Sequence, residues 1–274
     1  SDRFYNKSTE PQALTQVVPA QPVQQTSVVA HETAHVGEAV VVMAANPLQT
    51  ATKTISMVAS QTDHALLFYS CGKDSIMLLD LMAPHFKKIS LCFMYFVKGL
   101  NHCDRYLEFS KSKYGNVDVI QVPHFSLTNV RKEGIFCNPE PKTKILKLSD
   151  IDQYARQKTG ADWSFYGMKK SDGLNRRLML NGYGEIPINQ STQKAYPLAD
   201  FKNSDVLRYI KVNRLPMPVV YGKKQSNSVG FNIDCLLWMQ RNEPKDLETF
   251  LKRFPKAQQM IFEHEYKEKT IGER

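Results

Sequence analysis

The chain has 274 residues, 42% of them hydrophobic and 10% aromatic, with 36 Lys and Arg against 27 Asp and Glu for a formal net charge of +9. That content can bury a core and excludes a wholly disordered chain. No run approaches the roughly 18 apolar residues of a membrane-spanning helix, and Val28–Val42 is broken by His31, Glu32, His35 and Glu38, unlike a secretory signal. The five cysteines, at 71, 92, 103, 137 and 235, form no CxxC pair, so the expectation is reduced thiols in a cytoplasmic protein with no membrane partner.

Residues 1–60 are built mainly from Gln, Val, Ala, Thr, Ser and Pro, and after Tyr5 no aromatic residue appears until Phe68. Few large side chains are available to offset the entropy of ordering such a segment, which predicts a low-complexity, flexible N-terminal arm. The segment is either an inert linker or a partner-binding arm; if a protein partner or a second copy of the chain holds it, through residues 8–60, Val28–Val29 and Val40–Val42 are the natural contacts. The arm holds Arg3, Lys7 and Lys53 against Asp2, Glu10, Glu32 and Glu38, so the whole basic excess belongs to the body. His31-Glu32-Thr-Ala-His35 has the letters of a zinc-protease helix, but no third ligand accompanies it and no metal site is expected there.

From residue 64 short apolar runs alternate with helical periodicities, the pattern of a parallel α/β domain. Strands are predicted at His64–Tyr69, Lys88–Val97, Val117–Val122 and Ala161–Tyr166. Helices are predicted at Ser75–Met82, which Pro84 stops, at Asp104–Tyr114, and at Ser149–Thr159, ending at Gly160. The expected fold is an open, mostly parallel, Rossmann-like sheet with helices on both faces, over residues 61–240, followed by a C-terminal helical extension at 241–274.

The first strand runs directly into Ser70-Cys71-Gly72-Lys73-Asp74-Ser75, and a helix follows. Open α/β sheets bind ligands at the C-terminal ends of their strands. Free amides at a helix start, the positive end of its dipole and the Lys73 ammonium would converge there on one phosphate. Gly72 is expected to let the backbone approach the anion. The spacing is not that of a Walker loop.

This S-x-G-K-D-S segment after a first strand resembles the pyrophosphate loop of the PP-loop superfamily, the adenine nucleotide alpha-hydrolase-like fold of the N-type ATP pyrophosphatases. Trp163-Ser-Phe-Tyr-Gly167-Met-Lys169-Lys170-Ser171-Asp172-Gly173-Leu-Asn-Arg176-Arg177 is similar to the strand, G-x-R motif and trailing basic residues of the phosphoadenosine phosphosulfate (PAPS) reductase-like branch, which includes the sulfate adenylyltransferase small subunit. Tyr196-Pro197-Leu198-Ala-Asp200 with Ser204-Asp205-Val206, Leu215-Pro216 and Val220-Tyr221 resembles that branch's next passage. The resemblance implies a substrate of ATP or a PAPS-type adenine nucleotide, with Mg2+ possible, and an oxyanion as second substrate. It implies phosphate contacts at Ser70, Cys71, Gly72, Lys73, Asp74, Ser75, Gly167, Lys169, Lys170 and Arg176, and catalytic roles for Lys73, Asp74 and Lys169. The adenine would lie near Phe68, Tyr69 and Phe96-Val97-Lys98.

Two features depart from the branch. Lys169 and Lys170 stand where an arginine is usual, replacing a bidentate fork with a point charge. The reductases attack sulfonate with a cysteine near the C-terminus, whereas the last cysteine here is Cys235, alone in Gly230-Phe-Asn-Ile-Asp-Cys235. Redox activity and an iron–sulfur cluster are therefore not expected. Cys71, beside a lysine and a helix N-terminus, is read either as a thiol of lowered pKa or as a small residue that fits. Two alternative functions are carried forward. One is a non-catalytic interaction protein anchored by its arm, for example a phage-particle component located in the virion. The other is a nucleic-acid-modifying enzyme using Lys142, Lys144, Lys147 and the Lys223-Lys224 pair.

Overall fold

Asn46 opens the first helix, α1 (Pro47–Ala59), by accepting a hydrogen bond from the Leu48 amide at 3.1 Å, and Pro47 occupies the first turn, where its missing N–H is no loss. Thr50, Ala51, Thr54, Ile55 and Val58 face inward. Three of these five side chains are Thr or Ala, so the helical stripe does not stand out in the sequence, and residues 47–59 belong to the folded body rather than to the arm. The chain of this computed structural model divides into units Ser1–Ala44 and Ala45–Arg274. The described residues are 46–220 and 232–272. His31–His35, both Val-rich stretches, Tyr221, Lys223 and Lys224 lie outside them.

The sheet holds β1 (His64–Phe68), β2 (Lys88–Tyr95), β3 (Val117–Pro123), β4 (Trp163–Phe165), β5 (Ile188–Asn189) and β6 (Lys194–Ala195), in the order β3-β2-β1-β4-β6-β5. Every neighbouring pair is parallel except β5 and β6. From β1 the chain winds outward through β2 and β3, then returns to the other side of β1 at β4. The reversal falls between the C-terminal ends of β1 and β4, where loops diverge and leave a crevice.

Successive residues of β1, and Tyr69 just beyond it, serve two cores. Ala65, Leu67 and Tyr69 join α1, α2 (Lys73–Met82), α3 (Asn101–Lys113), α7 (Asn203–Val212), α8 (Ile233–Asn242), α9 (Pro244–Arg253) and α10 (Ala257–Gly272) on one face. Leu66 and Phe68 join α5 (Leu148–Thr159) and α6 (Leu174–Asn181) on the other. Two covered faces explain why β1 reads as an uninterrupted apolar run. α4 (Leu127–Glu133) follows β3, and α5 ends at Gly160 with φ +76°, a left-handed cap that glycine adopts without strain.

The C-terminal segment is part of this core rather than an appendage, because Leu247, Phe250, Phe254, Ala257 and Ile261 are buried with the β1–α2 residues. Its firmest tie is Asp246, fully buried, whose carboxylate accepts from the Asn101 amide (2.8 Å), the His102 amide (3.0 Å) and His102 Nδ1 (2.6 Å). Burial acts to raise that carboxyl, but the three hydrogen bonds outweigh it and hold it below its ordinary value. A side chain of α9 thus caps the start of α3.

Candidate functional site

The crevice at the β1–β4 reversal is lined by the Ser70–Ser75 loop and by Gly167–Asp172. The first intrahelical bond of α2 runs from the Ile76 amide to the Gly72 carbonyl at 3.0 Å, so the amides of Lys73, Asp74 and Ser75 precede the helical ladder and need other acceptors. Ser75 braces the loop from inside. Its hydroxyl donates to the Gly72 carbonyl (2.9 Å) and accepts from the Ser70 amide (3.2 Å). Ser70 itself is exposed.

The loop's unusual backbone lies one residue earlier than the sequence indicates. Gly72 is extended, at φ −90° and ψ 165°, a conformation open to any residue, whereas Cys71 takes φ +59°, where a side chain is strained. The Cys71 thiol is buried and its Sγ lies 3.9 Å from the Cys103 carbonyl. Burial, then the neighbouring Cys103 and Asp104, push it well above its ordinary pKa. The lowered-pKa reading of Cys71 is thereby overturned, since desolvation outweighs the helix N-terminus and the nearby lysine. Burial raises Cys103 as well and lifts Cys92 to about 12. Cys235 is also buried, and Cys71, Cys92, Cys103 and Cys137 are free thiols.

Four charged side chains alternate along the crevice floor. Lys73 Nζ lies 3.0 Å from Asp74 Oδ2, Asp74 Oδ1 lies 2.7 Å from Lys169 Nζ, and Lys169 Nζ lies 2.8 Å from Asp172 Oδ1. Lys169 is 0% exposed, and a charge that deep is tolerated only when paired. Neither of its contacts has hydrogen-bond alignment, so the ammonium acts there as a point charge. Gly167 is required by close approach, because a Cβ on it would stand 3.2 Å from Asp74 Cβ. Lys170 pairs with Asp200 at 2.7 Å, and its amide bonds the Ala199 carbonyl at 2.8 Å.

Ser70, Cys71, Gly72, Lys73, Asp74, Ser75, Gly167 and Lys169 are therefore brought together, with Lys170 alongside. Arg176 is not among them. It is exposed on α6 and turned against the Met168 sulfur. Asp172 and Asp200 were not read from the sequence as site residues, although both stand inside the quoted motifs.

Beside the loop, an apolar pocket opens between the ends of β1 and β2, lined in part by Phe68, Tyr69, Ser70, Phe96, Val97 and His124. Of the expected adenine walls only Lys98 is outside it. His124 stacks between Phe96 and Phe125, with ring centroids 4.5 Å apart in each case. Burial lowers its pKa to about 4, and its Nδ1 accepts from the Ser126 amide at 3.1 Å. With Nδ1 accepting, the neutral ring carries its proton on Nε2. No sequence spacing marked His124, because its ring neighbours come from the segment after β2 and from its own loop.

The fold is thus a doubly wound α/β sheet with an amide-rich loop at its reversal point and an apolar pocket beside it. The chain belongs to the phosphoadenosine phosphosulfate reductase domain family, which matches residues 64–236. Among solved structures it is similar to a phosphoadenylyl-sulfate (PAPS) reductase from Candida auris in a phosphate complex, at 14% identity with a TM-score of 0.43, covering 65% of this chain and 84% of that one. No curated protein matches it. Residues 244–261, which supply Asp246 and much of the core, lie beyond the matched segment. No helix among the described residues is long and apolar enough to cross a membrane.

The loop does not offer a divalent cation a free donor set. Asp74 and Asp172 already share the Lys169 ammonium, and no cluster of three or more His, Cys, Asp or Glu side chains suited to a metal occurs among the described residues.

Proposed function

We propose that the protein binds an adenine nucleotide, ATP or a PAPS-type adenylylated sulfate, with its phosphates on the Ser70–Ser75 loop and its base in the pocket between β1 and β2. It then acts on that nucleotide in nucleotidyl transfer to an oxyanion or in sulfur metabolism. The observation that carries this reading is the junction at Ser70, which begins the amide-rich loop and also lines the apolar pocket. A ligand with an anionic end and a flat apolar end fits that junction.

Within this reading the amides of Lys73, Asp74 and Ser75 hold phosphate oxygens, Lys73 turns from Asp74 to the incoming charge, and His124 Nε2–H meets an acceptor on the base. The cysteines nearest the loop and pocket are not its nucleophiles. Cys71, Cys92 and Cys103 are buried thiols whose thiolates are disfavoured, and a thiol is a poor nucleophile. Calorimetry with ATP and with PAPS, followed by product analysis, tests the proposal. Binding of either supports the site, and new products distinguish an enzyme from a protein that only holds the nucleotide. The absence of binding by both overturns the proposal.

A further inference from the structure

The Lys73–Asp74–Lys169–Asp172 chain places an ammonium where two carboxylates converge. A lysine with no exposed surface loses its hydration and keeps its charge only through its partners. Lys169 has two, Asp74 Oδ1 at 2.7 Å and Asp172 Oδ1 at 2.8 Å, neither aligned as a hydrogen bond. Both carboxylates retain a solvent-facing side, with side-chain exposures of 16% and 32%. The arrangement is that of two acidic oxygens gripping a compact cation, which is how such oxygens hold a divalent metal at ~2.0–2.6 Å.

We infer that Lys169 is a tethered cation built into the phosphate loop. It occupies the position a divalent metal would take between Asp74 and Asp172 and makes anion binding at this loop independent of metal. Lys169 is a positioning residue. By neutralising Asp74 on the side away from Lys73, it keeps that carboxylate from repelling a phosphate on the adjacent amides, and it holds Gly167 against the first turn of α2. A guanidinium at this place would be larger and planar, with a different fit between the two carboxylates. The metal-binding half of the inference stands on the four side chains alone, and the anion half rests on the nucleotide reading above.

The test is a titration of the full chain with Mn2+ alone, followed by electron paramagnetic resonance, on the wild type, Lys169→Met and Lys169→Gln. The wild type is expected to show no Mn2+ site that Asp74→Asn removes. The Lys169 variants are expected to gain one Mn2+ per chain, bound at least about tenfold tighter and lost again when Asp172→Asn is added. A wild-type site at Asp74, or folded Lys169 variants that gain none, overturns the inference. A second measurement needs no variant. PAPS affinity of the wild type in EDTA should match that in Mg2+ within a factor of about 3, and a dependence above about tenfold contradicts the tethered-cation role. Failure of PAPS to bind under both conditions sinks the nucleotide reading and leaves the Mn2+ result standing.

Discussion

Asp246→Ala should destabilise the folded body and loosen the pocket at once. The carboxylate is fully buried and accepts three hydrogen bonds of 2.6–3.0 Å from the first turn of α3. Removing it takes away the three hydrogen bonds that Asp246 accepts inside the core from the Asn101 and His102 amides and from His102 Nδ1. Taking the acceptor from three buried donors, at about 1–3 kcal/mol each, costs about 3–5 kcal/mol after partial relaxation. At roughly 2–4 °C per kcal/mol for a domain of this size, that is a fall of about 6–20 °C in Tm. Asp246→Asn keeps the volume and one acceptor oxygen and should lose about half as much. The pH dependence adds a second signature. The folded carboxyl is held below its ordinary value of 3.8, so its stabilisation is complete above the unfolded-state pKa and disappears as pH falls through the folded one. The gap between wild type and Asp246→Asn should therefore narrow below about pH 4. Leu100 and Cys103, which flank the tethered turn, line the pocket, so nucleotide affinity should fall with stability. Urea unfolding from pH 3 to pH 7 measures both effects. Asp246→Ala within about 1 kcal/mol of wild type, or an undiminished gap in acid, would refute the role given to Asp246.

Other consequences are as direct. Burial lowers His124 to about 4, so its neutral-ring stabilisation is whole above pH 6.5 and is lost as pH falls toward 4. His124→Phe should remove roughly 1–2 kcal/mol of that pH dependence, discounted for partial solvent exposure, and weaken nucleotide binding. Cys71→Gly relieves left-handed strain of about 1–2 kcal/mol but gives up a buried thiol and adds backbone entropy, so stability should stay within about 1 kcal/mol with nucleotide binding intact. Cys71→Val, β-branched at φ +59°, should lose more than about 2 kcal/mol in denaturant unfolding. Gly167→Val drives a side chain into Asp74 Cβ, for which even one carbon leaves only 3.2 Å, and should cost about 1–3 kcal/mol and weaken nucleotide binding by calorimetry.

Much of the sheet was readable because parallel strands covered on both faces are apolar throughout. The predicted His64–Tyr69, Lys88–Val97, Val117–Val122 and Ala161–Tyr166 overlap β1 to β4 and err only at the ends. The loop position was also legible, since strand, hydroxyl, glycine, lysine and helix follow one another locally. α1 was not, because Thr50, Ala51 and Thr54 dilute the apolar stripe that Ile55 and Val58 begin, and β5 and β6 are two residues each. Asp246 and His102 are 144 positions apart, so their pairing depends on tertiary packing that no local pattern encodes. The same holds for Cys71, whose pKa depends on burial and whose positive φ is set by the loop around it. Lys169 and Lys170 were identified as charges, but the carboxylates that hold them, on Asp74, Asp172 and Asp200, became partners only when the β1 and β4 loops met.

The most direct measurement is a crystal structure with ATP or PAPS bound. Phosphate oxygens are expected about 2.7–3.2 Å from the amides of Lys73, Asp74 and Ser75, with the adenine between Phe68 and Phe96 and Lys169 still seated on Asp74 and Asp172. A nucleotide found elsewhere, or phosphates that leave those amides untouched, would contradict that placement.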